Sequence, residues 1–231
     1  MVELVDFESA TDRVIGGHET HKLISPEELR VVAYHEAGHA VAGWNLEHAD
    51  PLLKVTIVPR GNGALGFAQY LPKEVFLRSQ QQLLDMAGRA SEQVHFGRVT
   101  TGAADDLRRV TQIIYQMVQV YGMNERIGQV SFPKDNDAYP GDRPYGNATA
   151  EVMDSEVRRV VEEAYQRTLD LVEAKKDQVK AVAELLLEKE TISHIDVSAL
   201  IGRRPFTTDK EYQEFLGSSW EDEPAVVDPV I

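Results

Sequence analysis

His35 and His39 stand four residues apart, with Glu36 directly after the first, in "AYHEAGHAVAGW" at 33–44. On a helix, two such histidines are separated by about 6 Å of rise and lie on one face. Both imidazoles can then reach one cation at about 2.0–2.1 Å, the length of a zinc–nitrogen bond. Glu36 lies about 60° round the helix from His39. From there a carboxylate can take a proton from a water beside the metal as that water attacks a carbonyl. The chemistry would be metal-assisted hydrolysis. The same five-residue pattern also occurs in ordinary helices, so a third ligand has to be found.

A catalytic zinc takes three protein ligands and keeps one position for water. A histidine at position 45 would complete a metzincin pattern, but the residue there is Asn45. His48 is displaced from the motif's face. His95 is a candidate, though a lone histidine after a helix is more often a partly buried polar residue. "TTGAADDLRRV" offers two carboxylates at a helix start. From Asp105 the same-face positions are Arg109, Gln112, Gln116 and Gln119, a solvated stripe. From Asp106 they are Val110, Ile113, Met117 and Val120, an apolar one. Asp106 is therefore expected to point inward, where a charge needs a partner or a metal, and to be the third ligand. Asp105 is expected on the surface, where it complements the helix dipole. The alternative, that both aspartates only cap the helix, stays open at this point.

The elements that must position these groups can be read locally. "SPEE" announces a helix: Ser25 suits the N-cap, Pro26 the first position and Glu28 the capping box. Continued through "LRVVAYHEAGHAVAGWNLEHA", it carries the two histidines near its middle and stops before Asp50 and Pro51. Gly38 costs about 1 kcal/mol in a helix interior relative to Ala, so another segment or a substrate is expected close to it. "LLKVTIVPRGNGALGFAQYL" reads as two strands about a Gly-rich turn. Helices follow in "KEVFLRSQQQLLDMAGRASEQVHF", interrupted near Gly88, and in "TTGAADDLRRVTQIIYQMVQVYG". "PKDNDAYPGDRPYGN", about 133–147, reads as a mobile loop. The last third is helical. The expected fold class is mostly α (α+β), a helical domain with a small sheet or hairpin.

Composition sets outer limits. The 231 residues carry 38 acidic and 24 basic side chains, a net charge of −14, which argues against nucleic acid as partner. With no cysteine, a metal has to be held by histidine and carboxylate. No apolar run approaches the roughly 18 residues of a membrane span.

"YHEAGHAV", "KVTIVPRG", "LGFAQYLP", "GRASE", "TTGAADDL" and "YGMNERIG" occur in the order found in the peptidase domain of FtsH-type AAA+ zinc proteases, which this chain resembles over roughly residues 7–217. "WNLEHADPLLKV", "LLLEKE" and "LIGRRPF" look most like the mitochondrial m-AAA branch. The resemblance implies a zinc endopeptidase with His35, His39 and Asp106 as ligands, Glu36 as general base and Glu92 supporting the ligands. It implies that Gly66, Phe67, Ala68, Gln69 and Tyr70 form an edge strand on which an extended substrate pairs. By themselves, Glu92 would read as a solvent-facing helix carboxylate and the strand as part of an ordinary hairpin. The same resemblance implies a homo- or hetero-hexamer acting on unfolded or extracted membrane polypeptides, facing the matrix at the mitochondrial inner membrane.

Residues 1–17 would then end a preceding ATPase module, 18–25 link it, 26–201 form the zinc peptidase domain, and 202–231 form an acidic tail. No Walker A sequence is present, so ATP is expected only on a motor outside this chain, and membrane contact only through segments outside it. One departure stands out. Only Met86 and Ala87 separate "QQLLD" from Gly88, where the family has several more residues; such a shortening could rotate Glu92 out of place. The competing function is a catalytically silent module that assembles a ring.

Overall fold

The computed structural model describes residues 10, 13–14, 24–60, 65–70, 85–133 and 143–206. Their elements run α1 (Pro26–Asn45), β1 (Leu52–Thr56), β2 (Phe67–Tyr70), α2 (Ala87–Phe96), a 3₁₀ turn (Thr101–Ala103), α3 (Ala104–Gln119), α4 (Asn147–Ala174), α5 (Lys176–Lys189), β3 (Thr191–Ser193) and α6 (His194–Ile201). Among the described residues the chain is mostly helical with one small antiparallel sheet, as its sequence suggests. Most of the expected ATPase remnant and linker, positions 134–142 of the expected mobile loop, and the tail beyond 206 lie outside the described residues.

Helix α1 starts where its cap dictates. The Ser25 hydroxyl accepts from the Glu28 N–H at 3.2 Å, and the Glu28 carboxylate accepts from the Ser25 N–H at 3.2 Å. From Ala33 to Trp44 nearly every residue is buried, because small side chains let neighbours approach from several sides. Helices α2 and α5 and strand β1 all pack on it. Ala33, Ala37 and Val41 meet Leu52 and Val55 of β1, Val182 and Leu186 of α5 and Ile192 of β3 in the main core. A fully buried Val, Leu or Ile contributes about 1.5–3 kcal/mol. This helix is thus anchored firmly enough to carry His35 and Glu36 in buried positions, which oppose folding unless partnered. A second core joins Val110, Ile114 and Val118 of α3 to Met153 and Val157 of α4.

Gly38 sits where α1 and α2 cross. A Cβ there would lie 2.6 Å from the Ala87 carbonyl oxygen and from Ser91 Cβ, so the segment expected against it is α2. The Ser91 hydroxyl also donates to the Tyr34 carbonyl across the same crossing.

Three local expectations are corrected. Helix α1 ends at Asn45 instead of running on to Ala49. Asn45 Nδ2 turns back to the Val41 carbonyl at 2.9 Å, and Leu46 takes extended backbone. The Arg204 guanidinium then donates to the Leu46 and Ala49 carbonyls at 2.7 and 2.8 Å, supplying the cation that the last helical turn lacks. On α3 the buried stripe is Val110, Ile114 and Val118, so Ile113 and Met117 sit at its margin. Gln119, expected to be solvated, is buried, and its Nε2 donates to the Phe132 carbonyl at 2.8 Å.

The sheet also has a third strand that no local pattern announced. Its order is β2-β1-β3, antiparallel throughout, with Val55 paired to Ala68 on one side and to Ile192 on the other. Among the described residues β2 thus lies at one edge of the sheet.

Candidate metal centre

The structure brings His35, His39 and Asp106 together, although α1 and α3 carry them from distant parts of the chain. His35 Nε2 lies 3.1 Å from Asp106 Oδ2, His39 Nε2 lies 3.3 Å from the same oxygen, and the two Nε2 atoms are 3.2 Å apart. Ligands at about 2.0–2.1 Å from a tetrahedral ion are separated by about 3.3–3.4 Å. The triangle therefore has nearly the dimensions of one face of such a coordination sphere. Asp106 is inward, with 20% of its side chain exposed, against 78% for Asp105, which pairs with Arg108 at the surface.

The electrostatics favour a cation. Burial alone would lower the His35 pKa, but hydrogen bonds with Asp106 and Glu92 outweigh it and push the value up to about 10. His39 is raised too, with Asp106 overcoming the cost of burial. Burial pushes the Asp106 carboxyl upward, yet the two histidines hold it well below the usual carboxylate range. The carboxylates of Asp106, Glu92 and Glu36 thus stabilise positive charge at this point, whether a proton carries it or a metal that displaces the proton.

Glu92 is buried and lies against His35 despite the short connection before it. Its Oε1 accepts from His35 Nδ1 at 2.8 Å; a carboxylate in this role keeps a proton on Nδ1, so that Nε2, which faces the centre, is the nitrogen that loses its proton when a metal binds. Burial raises the Glu92 pKa, and the hydrogen bonds from His35 and Thr100 more than offset it, so the group stays ionised. Helix α2 starts at Ala87, and its register turns Gly88 towards the imidazoles. A Cβ at Gly88 would lie 2.4 Å from His35 Nε2 and 2.6 Å from His39 Nε2, so only glycine leaves the rings where they are.

Glu36 is buried beside the triangle, and burial pushes its carboxyl upward against the pull of the two histidines. Gly66 comes so close that a Cβ on it would meet Glu36 Cγ and Oε1 at 2.9 Å. Strand β2 continues from there along a groove of about 1220 Å³ that also contains His35, Glu36, His39 and Asp106. Ala68 and Tyr70 of β2 pack on the core, and the Tyr70 hydroxyl donates to the His39 carbonyl at 2.9 Å, tying the edge strand to the histidine helix. The groove is larger than the roughly 300–1,000 Å³ of a small-molecule pocket, and one wall is a strand edge.

The rival ligands lie elsewhere. His95 packs at a tilt against Tyr34 with ring centroids 4.8 Å apart, its Nδ1 bonded to the Ser91 carbonyl at 2.9 Å. His48 is exposed in the turn after α1. Sequence reasoning missed two contributors. Gly88 was read only as a helix interruption, and Thr100 only as part of a motif. The adjacent threonine and glycine at the start of the aspartate helix were the available signal for the second.

The sequence profile of peptidase family M41 matches residues 22–200. The chain is 54% identical over 227 residues to the mitochondrial inner membrane m-AAA protease component AFG3L2 of Mus musculus, covering 94% of this chain and 28% of that protein. It is 48% identical over 214 residues to the ATP-dependent zinc metalloprotease FtsH of Rhodothermus marinus, covering 89% and 31% respectively. With the m-AAA protease component YTA10 of Saccharomyces cerevisiae it shares 44% identity over 225 residues, 94% of this chain and 30% of that protein. The chain thus spans less than a third of the length of each of these relatives.

Proposed function

This chain belongs to peptidase family M41, and from that premise we propose that it is the zinc-dependent endopeptidase domain of an ATP-dependent, membrane-anchored quality-control protease. His35, His39 and Asp106 are the residues that would hold zinc, and Glu36 is the general base. The observation that carries this reading is the triangle of 3.1–3.3 Å formed by their three ligand atoms. Bound there, zinc would supply Lewis acidity, polarising a peptide carbonyl and acidifying water.

The chain's own groups do the rest. Glu36 takes the proton from the attacking water and returns it to the departing amine nitrogen; its burial-raised pKa suits a group that must both accept and release. Glu92 keeps the His35 proton on Nδ1. The β2 edge, Gly66 to Tyr70, receives an extended peptide by backbone pairing, which calls for little side-chain selectivity. The substrates are unfolded polypeptides, including extracted membrane proteins.

The wider assignment rests on the relatives' names. Those names support a mitochondrial inner membrane m-AAA component and dependence on ATP; we extend this to a hexameric ring of like or mixed subunits that faces the matrix, with ATP bound on a separate module. No described helix is long and apolar enough to cross a membrane. The proposed boundaries are a peptidase domain over 26–201, preceded by the end of an ATPase module and a linker, and followed by an acidic tail.

Metal analysis, paired with cleavage of an unstructured peptide by wild type and Glu36→Gln, tests the core of the proposal. Both forms should hold one zinc per chain, and the variant should cleave about 10²–10⁴-fold more slowly. A Glu36→Gln chain as fast as wild type would remove the general base. Metal without cleavage in either form would leave a silent assembly module.

A further inference from the structure

We infer that Thr100 is a positioning residue of this centre, holding the Asp106 segment in register with the two histidines by way of Glu92. The inference rests on the metal-centre reading above. Helix α3 packs chiefly on α4 and on the 3₁₀ turn before it, and among the described residues it makes no extensive contact with α1 or α2. Core packing ties α3 to α1 and α2 only indirectly, through Met86 and α4, and leaves the fine alignment of Asp106 with the rings on α1 to polar contacts. Thr100 supplies the direct polar link between the two sides.

Both carboxylate oxygens of Glu92 are used. Oε1 accepts from His35 Nδ1 at 2.8 Å and from the Thr100 hydroxyl at 3.2 Å, while Oε2 accepts from the Thr100 backbone N–H. The Thr100 hydroxyl oxygen in turn accepts from the Gly102 N–H at 3.2 Å and so caps the 3₁₀ turn Thr101–Ala103. That turn runs without a break into α3, whose first turn carries Asp106. One carboxylate thus grips the histidine ring and the root of the aspartate helix at once. A shift at Thr100 would be carried to Asp106 through six residues of continuous helical backbone.

Thr100→Val keeps the shape and the backbone donor but removes the hydroxyl as both donor and acceptor. In the 231-residue chain, zinc affinity measured by competition with a chromophoric chelator should fall about 10–100-fold. The visible absorption of the cobalt(II)-loaded chain should change with the ligand geometry, and kcat on an unstructured peptide should drop while KM stays near wild type. Thr100→Ser restores the hydroxyl and should recover all three. Should the valine variant fail to fold, Thr100→Ala carries the same expectation. A hydroxyl-free variant with wild-type zinc affinity and cobalt spectrum, or a serine variant no better than valine, overturns the inference and leaves the function intact. A wild-type chain that takes up no zinc overturns the metal-centre reading, and the inference with it.

Discussion

Gly88→Ala separates metal binding from folding at this site. The added Cβ would fall 2.4 Å from His35 Cε1 and Nε2 and 2.6 Å from His39 Nε2. Carbon atoms settle at about 3.5–4.0 Å, so the rings must retreat by roughly 1 Å. Ligand positions in a metal site tolerate only about 0.2 Å. A displacement of that size costs on the order of 100-fold where geometry decides, equivalent to about 2.8 kcal/mol of zinc binding. Folding should suffer much less. The imidazoles can swing aside, overpacking costs about 1–3 kcal/mol, and replacing glycine in a helix returns about 1 kcal/mol. The net loss of at most about 2 kcal/mol lowers Tm by no more than about 8 °C in a chain of this size.

The assay is zinc competition together with thermal unfolding in the presence and absence of zinc. With free zinc at about 100 times the wild-type Kd, wild type should gain about 2.7 kcal/mol and Gly88→Ala about 0.4 kcal/mol. Gly38→Ala is the converse control. Its Cβ meets the Ala87 carbonyl oxygen at 2.6 Å, a backbone atom that cannot rotate away, so it should lower stability by roughly 2–3 kcal/mol with or without metal. A Gly88→Ala chain that binds zinc as tightly as wild type would refute the placement of the imidazoles against α2.

Two further outcomes are expected. Asp106→Asn should weaken zinc at least by the roughly 10–100-fold typical of supporting partners, while Asp105→Asn, at an exposed residue paired with Arg108, should leave it unchanged; chelator competition on both distinguishes them. Glu156 on α4 accepts from Asn124, Arg126 and Arg159, and these bonds hold its carboxyl down to about 2. Its stabilisation is therefore full above the ordinary value of 4.5 and is lost as pH falls through about 2. The Tm difference between wild type and Glu156→Gln should be largest near neutral pH and close across that window. A gap that stays constant there would show that the charge of Glu156 contributes nothing.

Short-range interactions made much of this chain legible before any coordinates. Ser25, Pro26 and Glu28 announce a helix start because every group in the cap lies within three residues. A histidine pair at i and i+4 shares a face on any helix, so His35 and His39 are recognisable as a pair without knowing what covers them. The apolar stripe that turns Asp106 inward follows from the period of about 3.6 residues, and it pointed the right way even though its margin was off. α3 is covered by α4 from one side, which selects Val110, Ile114 and Val118, and only the direction of that neighbour could have told Ile114 from Ile113.

Convergence over long distances was a different matter. The end of α1 depends on Arg204, the third strand on Val55 meeting Ile192, and the value of Gly88 on two rings from another helix. Glu92 and Thr100 look like ordinary helix and turn residues until α2 is laid across α1. The sequence by itself determined which side chains could do chemistry and the helical faces they occupy, because those depend on neighbours a few bonds away. Only the tertiary structure decided that their ligand atoms meet within 3.3 Å, since that distance is the sum of packing between segments the chain order keeps apart.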